Sequence, residues 1–345
     1  MEGAHSPYAR SDFSIHNGHG ARCDEIAQTW EKAQMNPDNY YGEKATNYEA
    51  KRANKTCWQR EQNAVDDFVK RGPLLDVPCG TGRYFGTYQR KGIRDVTGMD
   101  ISKDMLDIAN KHANEFTRLL SGSIFTLDKV FTRHEFNTVV CSRMLNWFYA
   151  EDMHKAVSQL RHVARELVVS IRTGTPGRQP NNGNYTHRMR DWLEAIEGLY
   201  IADKRHILSA PDGDFYFYLL RAPVWLDVVD RFEWHRDGAA AIKRLSDAWA
   251  DAMGIAHIRD FSLARVTCEN YDAERIGKLI DDLAAIPRAD GTANRMITNE
   301  QPMHDSGPLV VVRTQGREFM IDGRRRANLW RNRPGELFQC LVVSV

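Results

Sequence analysis

Residues 74–84 read LLDVPCGTGRY, and this stretch decides the fold of the chain. A short apolar run ends in Asp76, and the glycines Gly80 and Gly82 follow it. A second apolar run at residues 96–99 ends in Asp100. This order predicts a strand, a glycine-rich turn, a helix and a second strand with an acid at its tip. Such a unit binds an adenosine-containing cofactor at the carboxyl ends of parallel strands.

The glycines and the acid each have a physical role in such a site. Gly80 and Gly82 lack a Cβ, so the backbone can turn sharply and approach a ligand closely. The Asp100 carboxylate can accept hydrogen bonds from two ribose hydroxyls. A dinucleotide site would need a third glycine for the pyrophosphate, but Tyr84 and Phe85 follow instead. The motif therefore favours a cofactor that contains adenosine but no phosphate.

DVPCGTGRY at 76–84 and GMDIS at 98–102 resemble motifs I and II of class I S-adenosylmethionine-dependent methyltransferases. The resemblance covers residues 40–222, and both motifs occur in order at the right separation. It implies a doubly wound, Rossmann-like α/β sheet, S-adenosylmethionine as the cofactor and methyl transfer as the activity. The alternative is a Rossmann-like domain that has lost its ligand.

The resemblance also implies which residues hold the cofactor. The glycine side contacts the methionine part, the acid binds the ribose, and Ile101 and Met105 flank the adenine. Position 123 often carries an acid in the resembled family, so a serine here leaves the adenine contact without a charge. The full set of implied cofactor contacts is Asp76, Pro78, Gly80, Gly82, Asp100, Ile101, Met105, Ser123 and Ser142.

Cofactor or substrate contacts are expected beyond the predicted strand at residues 138–142, because strand tips of such a sheet face the ligand crevice. The candidates there are Arg143, Asn146 and Trp147. A polar loop at 172–184 leads to Tyr185 and His187 on the substrate side. His187 could act as a general base, and a surface or structural role is the alternative.

The remaining pattern predicts a sheet that ends in an antiparallel hairpin. Helices are predicted at 58–70, 105–116, 153–164 and 185–199, and strands at 124–127, 166–171, 201–208 and 215–221. The first strand is preceded by Tyr40, Tyr41, Tyr48, Arg52 and Trp58, where the resemblance implies a segment that folds over the cofactor; simple packing is the alternative. Residues 1–22 are interpreted as a flexible tail, a helix is predicted at 24–34, and the methyltransferase domain spans 23–222.

A second, smaller α+β domain is predicted at 269–345, after a helical connector at 223–268. FMIDGRRRA at 319–327 resembles the ParB-like and sulfiredoxin-like superfamily, in which a glycine leads into an arginine-bearing helix. Helix amides and guanidinium groups together bind phosphate. The alternative is a solvated basic helix face. The residues implied in a nucleotide- or phosphate-binding site are Gly323, Arg324, Arg325 and Arg326.

Composition narrows the classes of function. The net charge of +1 gives no global electrostatic reason for binding nucleic acid or a membrane. The six cysteines form no C-x-x-C pair, which disfavours a zinc site and favours a reduced, cytoplasmic setting. Neither a bound metal nor a membrane span is expected.

Three functional hypotheses follow from the sequence. The first is an S-adenosylmethionine-dependent methyltransferase that acts on an unidentified acceptor, either a small molecule or a phosphorylated, nucleotide-type compound. The second is a bifunctional enzyme whose C-terminal domain is a nucleotide-dependent phosphotransferase or hydrolase. The third is a DNA- or nucleotide-binding module with a degenerate Rossmann-like unit.

Overall fold

A computed structural model describes residues 47–48, 55–178, 184–223, 265–285, 307–314 and 316–344. The predicted tail, the predicted helix at 24–34 and most of the predicted connector lie outside the described residues.

Seven strands of residues 74–221 form one sheet, and two short strands form a separate hairpin. The bounds are β1 Leu74–Asp76, β2 Val96–Asp100, β3 Thr117–Ser121, β4 Phe136–Cys141, β5 Ala164–Gly174, β6 Gly177–Arg178, β7 Tyr185–Thr186, β8 Tyr200–Ala210 and β9 Gly213–Arg221. The order in the large sheet is β3-β2-β1-β4-β5-β9-β8. The first five strands are parallel, and β9 is antiparallel to both of its neighbours. The predicted doubly wound sheet with a final antiparallel hairpin is confirmed.

The helices cover both faces of this sheet. Their bounds are α1 Thr56–Phe68, α2 Phe85–Arg90, α3 Lys103–Ala109, α4 Leu127–Val130, α5 Ala150–Val163 and α6 Met189–Ala195. On one face α5 buries Met153, Val157 and Leu160 at helical spacing. On the other face α1 buries Val65 and Phe68. β1 lies between β2 and β4, so the direction of the strand order reverses beside it, and a ligand crevice is expected there.

Three predicted elements are wrong in position. The third strand is not 124–127 but β3, which pairs in parallel with β2; residues 124–126 form a 3-10 turn whose Ile124 is buried. β3 is a half-exposed edge strand, so it lacks the continuous apolar run of a central parallel strand. The predicted helices at 105–116 and 185–199 are shorter, because α3 ends at Ala109 and β7 precedes α6.

A second, four-stranded sheet is formed further along the chain, where a smaller α+β domain was predicted. Its elements are β10 Arg265–Asp272, α7 Ala273–Ala285, β11 Leu309–Thr314, β12 Arg317–Asp322, α8 Arg324–Trp330 and β13 Leu337–Ser344. The order is β10-β13-β11-β12. Residues 265–268 belong to β10, so the predicted helical connector cannot extend to 268. The Gln339 amide contacts the first domain, donating to the Leu199 carbonyl and accepting from the Ile201 N–H, both at 2.9 Å.

Candidate active site

A cleft lies at the carboxyl ends of β1, β2, β3 and β4. Its walls are the loops that follow these strands, together with Tyr48, which precedes α1. The lining residues are 48, 77–81, 83–84, 100–102, 105, 122–124, 142–144 and 147. The cleft therefore occupies the crevice that the strand order predicts.

Asp100 joins the two sequence motifs at the floor of this cleft. Its Oδ2 accepts a hydrogen bond from the Gly80 N–H at 2.8 Å, and its Oδ1 accepts one from the Ser102 N–H at 2.9 Å. Burial raises the pKa of Asp100 to about 6, although these amides favour the charged form. The Ile101 amide also favours the charged form, and the carboxylate oxygens can in addition accept hydrogen bonds from a diol.

Asp76 lies behind the glycine loop (residues 78–82) and does not line the cleft. Its side chain is buried, and Oδ2 accepts a hydrogen bond from the Tyr88 hydroxyl at 3.1 Å. Oδ1 has no hydrogen-bond partner among the described residues. Burial raises the pKa of Asp76 to about 7. The predicted cofactor contact of Asp76 must therefore be corrected, because its side chain lies beneath the glycine loop.

Gly80 and Gly82 are required for different structural reasons. A Cβ on Gly82 would lie 2.7 Å from the Phe85 ring, so this glycine permits close packing of the loop on α2. Gly80 has φ +55, and a Cβ built there would meet no atom within 4 Å. Since Gly80 lines the cleft, that empty space belongs to the ligand side of the loop.

We expect Gly80→Ala to abolish most cofactor binding while it lowers stability only modestly. The left-handed backbone costs a non-glycine residue about 1–2 kcal/mol, and the added methyl group projects toward the cleft. Gly92→Ala is the matched control, because Gly92 has φ +70 and equally free space around its Cβ but does not line the cleft. Thermal unfolding and calorimetric titration with S-adenosylhomocysteine measure the two effects. Equal losses of affinity in both variants would contradict this role of Gly80.

One wall of the cleft carries a charge cluster that the sequence did not predict. Glu61 of α1 is fully buried, and its Oε2 lies 2.6 Å from Arg83 Nη2. Its Oε1 accepts a hydrogen bond from Arg143 Nε at 3.0 Å and a closer one from Nη2. A sequence signal existed, because Glu61 falls at helical spacing with the buried residues Ala64, Val65 and Phe68. An acid on an apolar helix face needs a partner when it is buried.

Aromatic side chains hold the first of these arginines in place. The Arg83 guanidinium lies 4.4 Å from the centre of the Trp58 ring and 4.3 Å from that of Tyr84. The Tyr84 hydroxyl is 3.0 Å from Ser142 Oγ, which connects the glycine loop to the end of β4. Of the residues singled out before β1, Tyr48 lines the cleft and Trp58 packs on Arg83. The other three, Tyr40, Tyr41 and Arg52, lie outside the described residues.

The cleft brings together half of the predicted site residues. Those that line it are Pro78, Gly80, Asp100, Ile101, Met105, Ser123, Ser142, Arg143 and Trp147. Asn146 does not, because it is buried and its Oδ1 accepts the Arg172 N–H at 3.2 Å. The ring of Tyr185 packs on Tyr149 with centroids 4.5 Å apart.

His187 also lies outside the lining of the cleft. It is buried, and its main-chain N–H donates to the Arg172 carbonyl at 3.1 Å. Burial lowers its pKa, so the imidazole is neutral at physiological pH. This position gives no support to the predicted role as a general base.

The predicted phosphate contact of Arg326 must be corrected. Its side chain is buried, and Nη1 donates to the carbonyls of Gly307 and Pro308, the latter at 3.1 Å. These hydrogen bonds from the buried guanidinium stabilise the segment just before β11. Gly323 precedes α8 with φ +95. The side chains of Arg324 and Arg325 lie outside the described part of the structure.

Residues 74–166 match the sequence model of a family described as a methyltransferase domain. Similar solved structures include magnesium protoporphyrin IX methyltransferase from Synechocystis PCC 6803 with bound S-adenosylmethionine (19% identity, 48% of this chain and 80% of that one, TM-score 0.39). Others are a Leishmania major S-adenosylmethionine-dependent methyltransferase (13%, 56% and 90%, TM-score 0.43) and the [4+2]-cyclase SpnF (16%, 48% and 81%, TM-score 0.41). No curated protein matches the chain.

Within the described residues, no group of His, Cys, Asp and Glu side chains could hold a metal ion. No helix in the same residues is long and apolar enough to span a membrane.

Proposed function

We propose that this chain, whose residues 74–166 match a methyltransferase domain, transfers the methyl group of S-adenosylmethionine to an acceptor that enters the cleft beside Trp147. The observation that carries the proposal is the hydrogen bond between the two motifs, in which Asp100 Oδ2 accepts from the Gly80 N–H at 2.8 Å. Both residues line the same open cleft. Loop and acid therefore form one binding surface.

The residues of the cleft fit the parts of the cofactor. The Asp100 carboxylate would bind the ribose hydroxyls, and Ile101, Met105 and Ser123 would surround the adenine. Gly80 allows the methionine part to approach the backbone. At the remaining wall, Arg83 and Arg143 supply positive charge for the methionine carboxylate.

When bound, the cofactor supplies a sulfonium-activated methyl group for in-line displacement by the acceptor. The contribution of the chain is then mainly to hold the two reactants in line and to limit their motion. Ser142, Met144 and Trp147 line the cleft after β4, so this loop borders the space left for an acceptor. Trp147 offers an aromatic face on which a flat acceptor can stack.

A phosphorylated or nucleotide-type acceptor is one of the classes that the sequence leaves open, beside other small molecules, and it belongs in a first panel of substrates. The described part of the second domain adds no support for it, since Arg326 is engaged by carbonyl groups. The proposal therefore depends on the cleft of the first domain.

The test is calorimetric titration of the whole chain with S-adenosylhomocysteine, followed by transfer of a labelled methyl group to panels of nucleotides, amines and phenols. We expect one binding site per chain and at least one labelled product. Absence of binding would refute the proposal. Once an acceptor is found, Trp147→Ala should raise the KM for that acceptor and leave the KM for S-adenosylmethionine nearly unchanged.

A further inference from the structure

α1 contributes a buried carboxylate to a site that otherwise consists of loops after the strands. Glu61 has no exposed side-chain surface, and it lies outside residues 74–166 of the methyltransferase match. A buried carboxylate is strongly unfavourable unless it is paired and hydrogen-bonded. The two groups that pair with it, Arg83 and Arg143, both line the cleft. We call them the guanidinium pair.

The orientation of the guanidinium pair is fixed from several sides. Arg143 has φ +59, an uncommon conformation for a residue with a side chain, and its N–H donates to Ser170 Oγ at 2.7 Å. Nε and Nη2 of Arg143 are both directed at Glu61. Arg83 is held between Trp58 and Tyr84 while its Nη2 contacts Glu61.

Glu61 occupies only some of the N–H donors of the guanidinium pair. Arg83 and Arg143 retain 14% and 29% of their side-chain exposure, whereas Glu61 retains none. Two guanidinium charges and one carboxylate leave a net charge of +1 at the wall. A guanidinium carries five N–H donors, so each arginine can bind Glu61 and a second anion together.

We infer that Glu61 is a positioning residue, which holds the guanidinium pair so that its remaining donors bind the methionine carboxylate of the cofactor. This inference rests on the proposed function. Asp100 and Ser123, which are expected to bind the ribose and the adenine, follow β2 and β3. The guanidinium pair follows β1 and β4, so the strand order places it beyond them, on the side expected for the amino-acid part. Glu61 contacts the cofactor only through the two arginines.

The test compares two ligands that differ in the amino-acid part. S-adenosylhomocysteine carries the carboxylate, whereas methylthioadenosine keeps the adenosine and the sulfur but lacks it. In Glu61→Gln we expect the affinity for S-adenosylhomocysteine to fall about tenfold or more, because hydrogen bonds to charged groups are strong and depend steeply on alignment. The affinity for methylthioadenosine should stay within about twofold.

A glutamine at 61 has one acceptor oxygen, and its amide donors face one arginine, so at least one member of the guanidinium pair is released. The variant also raises the net charge of the wall, but the methionine carboxylate gains from that charge only if the guanidinium donors stay aligned with it. Asp67→Asn is the matched control, since Asp67 is an exposed acid on the same helix, paired with Arg205 at 3.4 Å. It should bind both ligands as the wild type does.

If Glu61→Gln does not fold, Arg143→Lys is the second variant, because lysine keeps the charge but cannot bind Glu61 and a carboxylate in the same way. It should show the same selective loss. Equal losses for both ligands would show a merely structural role, and unchanged affinities would show no role; either result overturns the inference. A wild-type chain that binds neither ligand refutes the proposed function itself. Normal binding of methylthioadenosine with no preference for S-adenosylhomocysteine refutes only the assignment of the pair.

Discussion

Asp100→Ala is expected to lower the affinity for S-adenosylhomocysteine by about a hundredfold or more. The carboxylate would accept two ribose hydroxyl hydrogen bonds, and each hydrogen bond to a charged group contributes about 1.5–3 kcal/mol. The same side chain holds the Gly80 amide at 2.8 Å, so its loss also loosens the loop that contacts the methionine part. Calorimetric titration of the variant and the wild type at equal pH measures the effect.

One further variant separates the charge of Asp100 from its shape, and a second variant serves as the control. Asp100→Asn keeps the size of the side chain but has one acceptor oxygen, so we expect an intermediate loss of affinity. Asp107→Asn removes an exposed carboxylate of α3 that does not line the cleft, and it should bind like the wild type. Unimpaired binding by Asp100→Ala would mean that the ribose is held elsewhere, and the proposed function would lose its main support.

Asp76→Asn is expected to stabilise the protein at pH 8. Burial raises the pKa of this carboxyl from 3.8 to about 7, which corresponds to a penalty on the order of 4 kcal/mol for the ionised form. An asparagine carries no charge, but its amide replaces an oxygen that lacks a partner and leaves a donor unsatisfied, at about 1–3 kcal/mol. We therefore expect a net gain of about 1–3 kcal/mol in the free energy of unfolding.

The sign of the pH dependence follows from the direction of the pKa change. The folded-state pKa of Asp76 is higher than the unfolded value, so the unfolded state releases the proton first as the pH rises. Stability from the neutral carboxyl is complete below about pH 4 and is lost as the pH rises through about 7. The advantage of Asp76→Asn should thus grow between these limits and level off above them.

Urea unfolding at several pH values tests this dependence. Asp95→Asn is the control, because Asp95 is exposed next to β2 and its neutralisation should change the unfolding free energy by less than about 0.5 kcal/mol. A difference between Asp76→Asn and the wild type that is constant with pH would show that the Asp76 carboxyl is not neutralised by burial. Destabilisation at pH 8 would indicate that the charged form is needed by the fold.

The central strands and the site were the most predictable parts of this chain. β1, β2 and β4 are buried on both faces, so they appear as apolar runs, and their strand tips carry Asp76, Asp100 and Ser142. Edge strand β3 was missed because half-exposed positions need no such run. The run at 124–127 was mistaken for a strand because it is also apolar; Ile124 and Leu127 fill the core from a turn and a short helix instead.

The sequence by itself determined the glycine loop and the acid at the second strand tip, because both depend on local backbone sterics and on the period of apolar residues. Only the tertiary structure decided which charged groups meet. Glu61, Arg83 and Arg143 lie far apart in the chain, yet one buried carboxylate holds both arginines against the cleft. Tertiary packing also buries the side chains of His187 and Arg326. Pairing of buried charges is set by the full three-dimensional environment, and no local pattern in a sequence records it.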